Sequence, residues 1–93
     1  MHAVVVRSTL HDFEQARKVL REEGIPRLSQ APGFVAAQWV RLDETTGTSM
    51  LTFESEEAAR AAAEMLRTNP PGGSAITIES IEPGSTAGLP IGG

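Results

Sequence analysis

Apolar residues recur along this chain in blocks whose spacing switches between that of a strand and that of a helix. Residues 3 to 8, Ala-Val-Val-Val-Arg-Ser, put β-branched side chains at successive positions. This predicts a strand that is apolar on both faces and central in its sheet. Asp12 then offers an N-cap with Gln15 at N3, and Phe13, Ala16, Val19 and Leu20 follow at helical spacing, so a helix is predicted over 12–23. Gly24 reads as its left-handed stop, and Pro26 as the start of a further turn before Pro32-Gly33 breaks the chain. The helix is expected to be kinked or double.

From Phe34 to Leu42 the chain turns to Val, Ala, Trp and Leu, and a second such stretch runs from Thr48 to Glu54. The polar loop Asp43-Glu44-Thr45-Thr46-Gly47 between them predicts a hairpin. If it closes about Thr45, Trp39 faces Leu51 and Ala37 faces Phe53, with both aromatic rings on one side of the sheet. Ser55 caps a second helix, predicted over 55–67, with Glu56 and Glu57 in its first turn. Its apolar stripe is Ala59, Ala62, Ala63 and Leu66, and Glu56 pairs with Arg60 on the wet side. A last strand is predicted over 75–82 through Ile76, Ile78 and Ile81.

The order βαββαβ with right-handed crossovers gives a ferredoxin-like α+β domain, a four-stranded antiparallel sheet with both helices on one face. Strands one and two carry apolar residues on both faces, so the face away from the helices calls for a cover. A second copy packed sheet on sheet about a two-fold axis, a homodimer, supplies it economically. The domain is placed at 1–82. Six of the eleven residues from 83 to 93 are Pro or Gly, which predicts a flexible tail, with a partner-docking arm as the other reading.

Composition narrows the function classes. Net charge is −4, and the eight Lys and Arg are scattered through the sequence, which argues against nucleic acid or anionic membrane as partner. There is no cysteine, which removes disulfides, thiol catalysis and thiolate metal sites. The longest apolar run near the start, Ala3-Val4-Val5-Val6, is too short for a signal-peptide core or a membrane span, so a cytoplasmic location is expected. Seven of the eight basic residues are Arg, a coding bias expected of a GC-rich bacterial genome. One Trp, three Phe and no Tyr leave no stacking platform for bases, and the loop Ser8-Thr9-Leu10-His11 has no glycine to cradle phosphate.

Three stretches carry a resemblance: Pro26 to Phe34 with its Pro-Gly-Phe ending, the following Trp39, and the junction Phe53-Glu54-Ser55-Glu56-Glu57-Ala58-Ala59. Together they resemble the dimeric α+β barrel superfamily, and within it small proteins of the antibiotic-biosynthesis-monooxygenase type, over residues 2 to about 82. The resemblance implies a homodimer whose sheets close into a barrel, with a pocket in each subunit between sheet and helices. Some members of that group oxidise polycyclic aromatic substrates without metal or flavin, some degrade haem and many have no known activity; for this chain the resemblance implies a small aromatic or polyketide-like ligand, with cofactor-independent oxygenation and no metal as the chemistry to test. Where better characterised members carry an aromatic donor at the end of strand three and a histidine on the second helix, this chain has Phe53 and Ala62. Neither can carry a proton or ligate iron.

The pocket reading names Leu20, Trp39, Leu51 and Phe53 as lining residues. Oxygenation of a phenol needs a group that deprotonates or hydrogen-bonds it, and the candidates are His11 and Arg7, followed by Arg41 and Gln38. His11 serves only if it overhangs the pocket mouth. Arg7 and Arg41 are equally suited to ion pairing at a dimer edge. The alternative function is a non-catalytic dimeric ligand-binding or regulatory module.

Overall fold

In the computed structural model, which describes residues 1–70 and 73–85, alternation along the first strand decides which side of the sheet the helices cover. Strand β1 spans His2–Leu10, and its Val4, Val6, Ser8 and Leu10 are buried while Val5 and Arg7 are exposed. The successive valines therefore divide between a covered and an open face. β1 lies between β3 (Thr46–Phe53) and β4 (Ile76–Ser85), and β2 (Phe34–Arg41) pairs outside β3, giving the order β2-β3-β1-β4 with every pairing antiparallel. This is the ferredoxin-like α+β fold.

The first helical arm departs from expectation at Gly24. Helix α1 (Phe13–Val19) begins at Asp12, whose carboxylate accepts from the Gln15 N–H at 3.1 Å. It passes into a wide π turn, Leu20–Gly24, and then α2 (Ile25–Ser29). Gly24 has φ −64° and ψ −53°, so it continues the right-handed helix rather than stopping it. The Ile25 N–H donates to the Leu20 carbonyl, five residues back. The next residue, Pro26, has no N–H to contribute, and a widened turn just before it lets the chain carry on.

The hairpin closes two residues away from the expected register: Ala37 faces Leu51, and Trp39 faces Ser49. Asp43 is the cause, because its carboxylate accepts from the Thr45 N–H at 2.9 Å and closes the loop early. Thr46 and Gly47 consequently join β3. A shift of two keeps each side chain on its expected face.

Helix α3 (Glu56–Thr68) starts at Ser55, whose Oγ accepts from the Ala58 N–H, and Glu56 pairs with Arg60 on its exposed side. Its alanines Ala59, Ala62 and Ala63 meet Val4, Val6, Leu28, Leu51 and Phe53 in the main core. In β4, Ile78 and Ile81 both pack on that core although only Glu79 and Ser80 lie between them. The pairing jumps from Arg7–Ser80 to Ser8–Ile78, leaving Glu79 as an extra residue that reverses the strand's alternation. The strand continues through Pro83 and Gly84 to Ser85, past the expected end at 82, with Pro83 tolerated because β4 is an edge strand. Residues 86–93 of the expected tail lie outside the described residues. No helix among the described residues is long and apolar enough to cross a membrane.

Candidate functional site

The two helical arms meet the sheet differently. Helix α3 lies close along β4, β1 and β3, whereas α1 and α2 touch the strands sparsely. The gap is a cavity of about 290 Å³, bounded by the helical arm, the C-terminal half of α3 and the covered face of the sheet. Its wall is apolar, formed by Val6, Leu20, Leu28, Leu51, Leu66 and Ile78 among others. Ser8 and Ser49 add hydroxyls from the strands, and Trp39 lines it from β2. The Ser8 side chain is buried, with Oγ 3.5 Å from the Gly47 carbonyl. The mouth opens beside edge strand β2, where Ala37 and Gln38 are exposed, opposite the exposed Arg17, Arg21, Ile25 and Arg27.

Trp39 is held by a stack. Phe13, the first residue of α1, lies nearly parallel to the indole with ring centroids 5.9 Å apart. The Arg41 guanidinium covers Phe13, its Cζ 3.9 Å from the ring centroid, while Nε donates to the Asp43 carbonyl at 3.2 Å. Arg41 is thus occupied in bracing Phe13. Phe53 is fully buried against Phe34 in an edge-to-face pair, 6.0 Å between centroids, and lies in the core rather than in the cavity wall.

Of the residues named from the sequence, Leu20, Trp39 and Leu51 come together at the cavity; Gln38 borders it, but its register opposite Met50 puts its side chain on the open face of the sheet. His11 and Arg7 do not reach it. His11 is exposed, with Nε2 2.7 Å from Thr77 Oγ1 beside β4. Arg7 is exposed on the open face between Thr48 and Ser80. Ala62 is buried in the core, so a side chain there points into packed protein. The three arginines at the mouth were not singled out from the sequence. The signal was the i, i+4 spacing of Arg17 and Arg21 beside Leu20. Arg27 joins them only through the fold. Among the described residues no three His, Cys, Asp or Glu converge as a metal site would require.

The chain is similar to a crystal structure of a dimeric ferredoxin-like protein from an uncultured marine organism. The two are 13% identical, with a TM-score of 0.60, and the match covers 98% of this chain and 99% of that one. At that identity the likeness establishes the fold. No family model and no curated protein matches the chain.

Proposed function

We propose that this chain is a cytoplasmic, homodimeric small-molecule-binding module whose cavity takes an apolar ligand, and that it is not an oxygenase. The observation that carries this reading is the chemistry of the cavity wall. It is apolar, and its polar side chains are the hydroxyls of Ser8 and Ser49, the Trp39 indole and three arginines. These are hydrogen-bonding groups, and among the described residues no carboxylate or imidazole lines the cavity. Cofactor-free oxygenation of a phenol needs a group that deprotonates or hydrogen-bonds it; among the described residues the cavity offers donors but no base, and the residues named for the reaction from the sequence, His11 and Arg7, lie elsewhere. Homodimerisation is supported by Val5, Val40 and Met50, which stand exposed on the sheet face opposite the helices. The resemblance to the dimeric α+β barrels supports it as well.

Trp39 is the chain's one tryptophan, so its fluorescence reports on the cavity directly. Titration with 1-naphthol and 1-decanol should change that emission saturably, and Ala37→Phe, which enlarges an exposed side chain at the mouth, should abolish the response. Absence of any response to either compound overturns the pocket reading. Oxygen uptake with anthrone should not exceed that of buffer, and uptake by the wild-type protein that His11→Ala or Arg7→Ala removes overturns the non-catalytic reading.

A further inference from the structure

We propose that the cavity selects amphipathic organic anions, compounds with a carboxylate head and an apolar body of about ten non-hydrogen atoms; this rests on the pocket reading above. A volume of about 290 Å³ lies at the lower end of the roughly 300–1,000 Å³ of small-molecule pockets, which suits a small ligand body of about ten non-hydrogen atoms. The apolar wall suits a hydrocarbon or aryl body. The rim sets the charge of the head group. Arg17, Arg21 and Arg27 border the mouth, and among the described residues no aspartate or glutamate lines the cavity. The chain as a whole carries net charge −4, so three cations gathered without an acid run against its overall balance.

Those arginines are available. The ion pairs among the described residues are Arg60–Glu56 and Arg67–Glu64, both on α3, and neither Arg17 nor Arg21 has an ion-pair or hydrogen-bond partner there. Arg27 donates from Nη1 to the Asn69 carbonyl at 3.1 Å, which uses one of its five donors and fixes the guanidinium at the rim. Glu22 and Glu23 lie on the same arm but do not line the cavity. A body inserted toward Leu51 leaves its head at the mouth, where planar guanidinium groups suit a carboxylate.

The test compares decanoate, 1-decanol and decylamine by Trp39 fluorescence, with the chain length held constant. Decanoate should bind about tenfold more tightly than decanol, a ratio expected of charge-assisted hydrogen bonds, and decylamine more weakly than either. The decanoate preference should shrink as salt is raised. Arg17→Gln with Arg21→Gln should narrow the preference for decanoate, Arg27 alone remaining at the rim, while leaving decanol unchanged; Lys18→Gln, which removes a neighbouring charge outside the cavity, should alter neither. Equal binding of decanoate and decanol by the wild type, or equal weakening of both by the double variant, overturns anion selection and leaves the pocket reading standing. Failure of all three compounds to bind overturns both.

Discussion

Gly47 lies against the indole of Trp39: a Cβ at this position would stand 3.0 Å from Trp39 Nε1 and 3.3 Å from Ser8 Oγ. The glycine is what allows the edge of the indole to come this close to β3. Gly47→Val should displace the indole and cost about 1–3 kcal/mol by overpacking. Urea unfolding and the Trp39 emission maximum check both effects, and an unchanged emission maximum with wild-type stability would contradict the account.

A second glycine is required for a different reason. Gly33 has φ +78°, its carbonyl accepts from the Glu54 N–H at 2.8 Å, and a Cβ there would come within 2.8 Å of the Ala58 Cβ. Gly33→Ala should therefore destabilise the domain by more than about 1 kcal/mol. Adding Ala58→Gly should relieve the collision but not the backbone strain, so a double-mutant cycle in urea should show positive coupling with incomplete recovery.

On the open sheet face, Met50 pairs with Val5 on one side and Gln38 on the other. A two-fold contact through this face would bring such residues into apolar surroundings, where a charge is costly. Sedimentation equilibrium at micromolar concentration should show a dimer for the wild type and a monomer for Met50→Lys, with cooperative unfolding retained. A monomeric wild type would refute the homodimer.

The hairpin carries an acid-sensitive contact. The backbone N–H of Thr45, followed by contacts with Thr46 and the Thr45 hydroxyl, holds the Asp43 carboxyl below the usual aspartate range. A carboxyl lowered in the folded state contributes stability above its unfolded pKa, and that contribution is lost as pH falls through the lower folded value. The stability difference between the wild type and Asp43→Ala should therefore be greatest near neutrality and shrink in acid. Urea midpoints across the acid range measure it, and a difference independent of pH would remove the carboxylate's charge from the explanation.

Local chemistry made much of the fold legible. Asp12 and Ser55 cap the helices expected of them, and the βαββαβ order fixes the sheet. What escaped was set by residues acting across the chain. Asp43 moved the hairpin register through a turn that propensity alone does not count, and the extra Glu79 explains why Ile78 and Ile81 share a face at a spacing no regular strand allows. Gly24 looked like a stop, yet it holds right-handed helical angles and the chain continues through a π turn closed by the Ile25 N–H on the Leu20 carbonyl. In the site, Trp39, Leu20 and Leu51 were visible as large apolar groups on covered faces. Phe53 had the same appearance, but it sits where α3 presses the sheet and leaves no gap. The arginine rim was hidden because nothing in the sequence says that this arm stands off the sheet and leaves its arginines beside a cavity.

The wide turn at Leu20–Gly24 also settles a question of angular phase. Eight residues of regular α-helix turn through about 800°, which would leave Leu28 roughly 80° around the axis from Leu20. Seven residues turn through about 700°, within about 20° of alignment. A π turn absorbs one residue's worth of rotation, and both leucines face the same cavity. The arm therefore carries one residue more than its inner face needs, and its backbone takes up the surplus as width instead of rotating Leu28 out of the core.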